Sequence, residues 1–260
     1  MSEEKLYTAQ RRNLILEQIR NEGSVSVNEL AAKYGVSGTT IRLDLAALEK
    51  TGSIERTHGG AVLAQKQNIL LETAVSERKN ETEKESIAAA AVDLIQPKDV
   101  ILLDSGTTAL ALARRIAISD IADITVFTND LTVMLALESC HHADLHMLGG
   151  RLRTGFHYCY DARMLEEMSQ YHFTTAFLSP SAVCLKTGPT TMSVDMADLK
   201  KAMIASSRQI VMMVDSSKIE TEGFRSFCSL SDIDIMITDQ GISDRNRILY
   251  GDEVKKLVIA

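Results

Sequence analysis

Two groups of residues have types and spacings suited to chemistry. The first lies in the C-terminal two thirds. Asp104-Ser105-Gly106-Thr107-Thr108 follows the apolar run Val100–Leu103. A glycine lets the backbone approach an anion, and hydroxyls with free helix N–H groups can hold its oxygens. Thr128-Asn129-Asp130, Gly149-Gly150-Arg151 with Arg153 nearby, and Asp215-Ser216-Ser217-Lys218 follow other apolar runs. Lys218 can neutralise a phosphate, and Asp104 or Asp130 can hold sugar hydroxyls. The Asp104–Thr108 loop lacks the Gly-Lys-Ser/Thr ending of a nucleotide-triphosphate loop. Each cluster also has a purely structural explanation as a cap, a turn or a solvated charge. Together, at equivalent strand ends, they point to a small anionic ligand.

The second group is Ser37, Thr39, Thr40 and Arg42, followed by Arg56 and His58. Short threonine side chains let a helix approach DNA closely and can meet phosphates, base edges or thymine methyls. Arg42 is suited equally to a guanine and to a phosphate. Arg56 and His58 are placed to meet backbone phosphate or the minor groove, although an arginine there is equally at home in solvent.

The elements that would position these residues can be read from periodicity. Residues 9–20 predict a helix, with Ile15 and Ile19 one turn apart. Ser26 and Glu29 have capping-box spacing for a second helix. Gly35-Val36 makes a turn, and Ser37 caps a third helix whose Ile41, Leu45 and Leu48 recur at i, i+4 and i+7. Thr39, Thr40, Arg42 and Leu43 are left facing outward. Gly52 ends that helix, and residues 54–57 predict a short wing strand. This is the layout of a helix-turn-helix, and also of small helical domains that never meet DNA.

Residues 61–78 show no firm period and are expected to connect the domains. Thr82 and Glu85 predict the cap of a helix carrying Ile87, Ala90, Ala91 and Leu94 and stopping before Pro97. Strands are expected at 100–103, 124–128, 145–148, 175–178, 210–214 and 235–238. Helical patterns lie between most of them, near 161–169 and 196–206. Such alternation predicts a mostly parallel sheet with helices on both faces, whose ligands bind outside the carboxyl ends of its strands.

Composition sets outer limits. The 260 residues carry a net charge of −7. That total argues against indiscriminate coating of polyanions, but the position of positive charge decides DNA binding. The first 60 residues hold eight Lys or Arg against eight Asp or Glu, so the acidic excess lies downstream. The cysteines at 140, 159, 184 and 228 have neither metal nor disulfide spacing and fit a reducing cytoplasm. No apolar run suggests a signal or a membrane span. His157, between Phe156 and Tyr158, and the pair His141-His142 with His146 complete no catalytic or metal motif. Ser105 lacks the setting of an activated nucleophile. No catalytic residue, metal or cofactor is expected. An isomerase, which would need a base and a carbonyl donor, is the main rival reading. A protein-interaction module that uses the helical domain without DNA is a second.

The run Val36–Leu45, with Leu48-Glu49 and Arg56-Thr57-His58-Gly59-Gly60-Ala61, resembles the DeoR family of bacterial sugar-metabolism regulators. The resemblance extends over nearly the whole chain. Asp104–Thr108, Thr128-Asn129, Leu148-Gly149-Gly150 and Asp215–Lys218 look like the ordered landmarks of that family's effector domain, itself similar to sugar-phosphate isomerases such as ribose-5-phosphate isomerase. The resemblance implies an α/β protein with an N-terminal winged helix-turn-helix and a mostly parallel open sheet flanked by helices. It implies a DNA-binding domain at 1–60, a linker at 61–78, and an effector-sensing and oligomerisation domain at 79–260. The implied function is a repressor of carbohydrate transport or catabolism. Its partners would be double-stranded operator DNA and a phosphorylated sugar or related metabolite. The chain would act as a dimer or tetramer in the cytoplasm, nucleoid-associated when bound to DNA, with no membrane contact. The implied effector residues are Asp104, Ser105, Gly106, Thr107, Thr108, Asn129, Gly149, Gly150 and Lys218. Two departures stand out. Leu43 occupies a position where the family commonly has a second arginine. Ser181-Ala182-Val183-Cys184 replaces a usual glycine-rich stretch, so the identity of the ligand does not carry across.

Overall fold

Apolar side chains at helical spacing build the first unit. The computed structural model describes residues 8–51, 53–63 and 79–260, and the chain divides into units at Met1–Val75 and Ser76–Ala260. In the first unit, α1 (Thr8–Glu22) is followed by β1 (Ser24–Ser26), α2 (Val27–Tyr34), α3 (Gly38–Lys50), β2 (Ile54–Arg56) and β3 (Gly60–Leu63). Ile15, Ile19, Leu30, Ile41, Leu45, Leu48 and Ile54 form its core. Ser26 Oγ accepts the Glu29 N–H at 3.2 Å, and Ser37 Oγ accepts the Thr40 N–H at 3.1 Å. Both expected caps are therefore in place. Gly52 lies outside the described residues.

The wing extends further than its sequence suggests. Residues 61–63 were expected in the connection, yet β3 runs between β1 and β2 in a three-stranded antiparallel sheet. The reason is local. Gly60 sits so close to the next strand that an added Cβ would lie 1.8 Å from the Val25 carbonyl oxygen. Ala61 is fully buried beside it. Four residues of mixed character are too few to display a strand period. Of the expected linker, residues 64–78 lie outside the described residues.

In the second unit the strands are β4 (Val100–Leu103), β5 (Ile124–Thr128), β6 (Ala143–Met147), β7 (Arg151–Arg153), β8 (Tyr158–Tyr160), β9 (Phe173–Leu178), β10 (Ala182–Cys184), β11 (Gly188–Thr191), β12 (Ser207–Met213), β13 (Arg225–Ser226), β14 (Ile235–Thr238) and β15 (Leu257–Ile259). The helices are α4 (Glu81–Val92), α5 (Thr107–Ala117), α6 (Leu131–Leu137), α7 (Ala162–Met168), α8 (Val194–Ala205) and α9 (Asp244–Glu253). Seven strands make one sheet in the order β15-β14-β12-β9-β4-β5-β6, and every neighbouring pair is parallel.

Alternation along β4 shows how the sheet is covered. Ile101 and Leu103 pack with Ile87, Leu112 and Val133, from α4, α5 and α6, on one face. Leu102 packs with Met164, Leu199 and Tyr250, from α7, α8 and α9, on the other. The three expected strands at 100–103, 124–128 and 235–238 have the observed limits. β6 starts two residues before the expected 145–148, because it is an edge strand and its exposure alternates. The hairpin β7–β8, the small antiparallel sheet β10-β11-β13 and the edge strand β15 were not expected, being too short to stand out by period. Among the described residues no helix is long and apolar enough to cross a membrane.

Candidate functional site

The helix-turn-helix residues lie on one face of the first unit. On α3, Ile41, Asp44, Leu45 and Leu48 are buried, whereas Thr39, Arg42 and Leu43 are exposed and Thr40 is partly so. Ser37 is exposed, but its hydroxyl is engaged with Thr40. His58 is exposed in the wing turn. Arg56 is about half exposed, with Nη1 3.8 Å from Glu49 Oε2. An exposed pair at that distance contributes about 0–1 kcal/mol, so the guanidinium can exchange Glu49 for a phosphate at little cost.

Sequence reading overlooked the group that fixes this face. Asp44 is buried and accepts from Arg11 Nε at 2.6 Å and from Arg12 Nε at 2.9 Å. Arg11 is buried as well, while Arg12 reaches solvent. The carboxylate pins the buried side of α3 to α1 and sets the rotation at which α3 presents Thr39 and Arg42. Its position on the buried stripe, next to Leu45 and three residues from Ile41, is the signal that was available.

In the second unit, polar residues gather where the parallel strands end. Asp104, after β4, is fully buried and forms an ion pair with the buried Lys200 of α8. Asp104 Oδ2 also accepts the Ser179 N–H at 2.8 Å, and Lys200 Nζ donates to the Ser179 carbonyl at 3.0 Å. Asp130, after β5, caps α6 by accepting from the Thr132 N–H at 2.7 Å and the Val133 N–H at 3.2 Å. It also accepts the Gly106 N–H at 3.3 Å. Burial raises the Asp130 carboxyl above its ordinary value, although hydrogen bonds from Thr132, Val133 and Gly106 oppose that.

Several polar atoms here are left over. Asp104 Oδ1, Thr108 Oγ1, Asn129 Oδ1 and Ser179 Oγ are buried and find no hydrogen-bond partner among the described residues. An unsatisfied buried polar atom costs about 1–3 kcal/mol. Ser179, Asp104 and Asn129 follow β9, β4 and β5, which are adjacent in the sheet, and Thr108 lies in the first turn of α5. Gly106, with φ +114°, opens α5 without a side-chain cap. A side chain at that φ would be strained, and the uncapped first turn leaves N–H donors for an anion.

A second feature lies at the end of β12. A cleft of about 280 Å³ is lined by Lys79, Asn80, Lys84, Ser181, Asp215, Ser217, Lys218 and Thr221. Lys218 Nζ is 3.3 Å from Asp215 Oδ2. Asn80 Nδ2 donates to Asp215 Oδ1 at 2.8 Å and to Ser217 Oγ at 2.9 Å. Burial raises the Asp215 carboxyl, but Lys218 and hydrogen bonds from Ser217 and Asn80 outweigh it and hold the group below its usual value.

Of the expected effector residues, the cleft takes in Lys218 alone. Asp104, Ser105, Gly106, Thr107, Thr108 and Asn129 cluster at the neighbouring strand ends. Gly149 and Gly150 are exposed after β6, and Gly150 packs against Asp161. Lys79, Asn80, Lys84 and Ser181 were missed. The expected cap at Thr82 is replaced by Asn80, whose φ is +55° and whose amide turns away from the helix toward Asp215. Lys84 shares the buried stripe of α4 with Ile87 and Ala91. Ser181 opens the divergent 181–184 segment, which continues as β10. Among the described residues no group of three or more His, Cys, Asp or Glu is placed to hold a metal ion.

A small winged helical unit and a parallel sheet with a cationic cleft at its strand ends define a ligand-responsive DNA-binding protein. Residues 11–67 match the DeoR-like helix-turn-helix domain and residues 79–240 match the DeoR C-terminal sensor domain. The chain belongs to the DeoR family of transcriptional regulators. It is 37% identical to the putative aga operon transcriptional repressor of Escherichia coli O157:H7, over 90% of this chain and 87% of that one. It is 32% identical to the lactose phosphotransferase system repressor of Staphylococcus epidermidis, over 86% and 89%. Among solved structures, ribose 5-phosphate isomerase A from Methanocaldococcus jannaschii aligns at a TM-score of 0.39, with 20% identity over 54% of this chain and 55% of that one.

Proposed function

We propose that this regulator represses a carbohydrate transport or catabolism operon and releases its operator when a phosphorylated sugar binds the second unit. The observation that carries the effector reading is the charge of the cleft. Lys79, Lys84, Lys218 and Asp215 are the charged residues that line it among the described residues; Lys84 Nζ donates to the Lys79 carbonyl at 2.7 Å and Lys218 lies 3.3 Å from Asp215. A lining of ammonium, amide and hydroxyl groups suits the oxygens of an anion. The uncapped start of α5 and the unpartnered atoms of Asp104, Thr108, Asn129 and Ser179 suit the hydroxyls and remaining oxygens of a sugar phosphate. One relative is named a lactose phosphotransferase system repressor and another a putative aga operon transcriptional repressor, which supports the reading of a carbohydrate-linked repressor.

On the DNA side, Ser37, Thr39, Thr40 and Arg42 enter the major groove, while Arg56 and His58 of the wing meet the backbone or the minor groove. Two or four copies associate through the second unit and present paired α3 helices to repeated half-sites. Ligand binding shifts the assembly toward an arrangement that misplaces those helices, by no more than its difference in affinity for the two arrangements. Residues 1–63 thus serve DNA and residues 79–260 serve sensing and assembly, in the cytoplasm and on the nucleoid.

The effector reading is tested by thermal unfolding of the full chain with a panel of sugar phosphates and the matching free sugars. One phosphate should raise the midpoint of the second unit, while its free sugar should not. Equal shifts from both members of every pair, or no shift at all, would remove the phosphate site.

A further inference from the structure

The outer face of α3 carries one large apolar side chain. Leu43 is 65% exposed, the most exposed large apolar residue described in the first unit. A scattered surface leucine needs no explanation, but this one has a particular neighbourhood. Thr39 lies one turn before it and Arg42 precedes it, both exposed, so by helical spacing the three share the outward stripe. Asp44, the next residue, is tied down by Arg11 and Arg12. That tether holds α3 in the rotation that turns Leu43 away from the core formed by Ile41, Leu45 and Leu48.

The chemistry of the groove narrows what such a residue can do. Thr39 can meet a phosphate or a base, and Arg42 can meet a phosphate or a guanine. Leu43 can form no hydrogen bond, and a phosphate gives it nothing. The apolar feature on the major-groove edge of a base pair is the C5 methyl of thymine. Resting on the reading that α3 enters the groove, we propose that Leu43 is a specificity-determining residue that reads a thymine through this methyl, once per half-site.

The test uses the full chain and a randomised duplex pool, so no operator need be known beforehand. Each thymine in the selected sequence is replaced in turn by deoxyuridine, which removes only the methyl. Affinity is measured for the wild type and for Leu43→Ala, a change at an exposed position that leaves the core intact. At one thymine per half-site the replacement should weaken the wild type about four-fold, the equivalent of ~0.8 kcal/mol for one buried methyl at ~1.4 kcal/mol per decade. With Leu43→Ala the same replacement should change nothing. Selective, salt-dependent binding that no single deoxyuridine weakens would overturn the proposal and leave the DNA-binding reading standing. So would a thymine dependence that persists in Leu43→Ala. A variant altered in self-association, with its thymine dependence intact, would instead assign the side chain to a protein contact. No enrichment of any sequence, with no salt-dependent binding, would remove both readings together.

Discussion

Replacing Lys200 with methionine should destabilise the second unit heavily while leaving the first unit unchanged. The ammonium is 2% exposed and its partner Asp104 is 0% exposed. Methionine fills a similar volume but withdraws the charge and the donor to the Ser179 carbonyl. It also removes a cation held 5.7 Å from the centre of the Phe227 ring. Asp104 would then stay buried with the Ser179 N–H as its one donor among the described residues. Removing one partner of a buried pair costs ~3–5 kcal/mol because the other charge is left uncompensated. For a unit of this size each kcal/mol lowers the midpoint by ~2–4 °C, so the expected drop is roughly 6–20 °C. Calorimetry of the full chain reads both units in one scan, and the winged unit serves as the internal reference. The double variant Asp104→Asn/Lys200→Met, which removes both charges, should recover most of the loss. A single-variant loss below ~1 kcal/mol, the size of an exposed pair, would refute the claim that this pair is sealed from water. So would a double variant no more stable than the single one.

Three further outcomes follow from the same geometry. Arg42→Ala should weaken operator binding by ~1–3 kcal/mol if the guanidinium reads a base, or reduce the salt slope by about one if it meets a phosphate. Sugar-phosphate binding should be retained in either case, and equal operator affinity and slope would remove Arg42 from the interface. Lys218→Ala should do the reverse, keeping operator affinity while the response to the phosphate fades; a full response would remove Lys218 from the pocket. The Asp215 carboxyl is held below its ordinary value of 3.8 in the folded protein. A depressed carboxylate contributes stability that is present above that ordinary value and lost as pH falls through the folded one. The stability gap between wild type and Asp215→Asn, followed by urea unfolding, should therefore narrow below about pH 3.8. Parallel curves across that range would contradict the shift.

Legibility in the sequence followed the strength of the period. β4, β5 and β14 could be placed to the residue, whereas β9 and β12 begin two and three residues before the expected 175 and 210, where polar residues precede the apolar run. The apolar part of the buried stripe of α3, Ile41, Leu45 and Leu48, could be named side chain by side chain. Short elements with little room for a repeat escaped, among them β3, the hairpin β7–β8 and the edge strand β15. The charged residues that organise both sites were missed for a different reason. Asp44, Lys84 and Lys200 each sit on the buried stripe of a helix, between Ile41 and Leu45, before Ile87, and between Ala197 and Met203. A buried charge demands a partner, and the partners lie 33 residues away for Asp44 with Arg11 and 96 for Lys200 with Asp104. Periodicity can flag such a residue but cannot supply its mate. The cationic cleft was half visible for the same reason, since Asp215 and Lys218 are local while Asn80 comes from 135 residues upstream.

The most direct test of effector-controlled repression is the affinity of the full-length protein for the DNA upstream of its own gene, titrated with salt and with a panel of sugar phosphates. The account predicts sequence-preferring, salt-sensitive binding that one phosphorylated sugar weakens and its free sugar does not. Binding indifferent to every sugar phosphate, or turnover of one of them with no specific DNA binding, would contradict it.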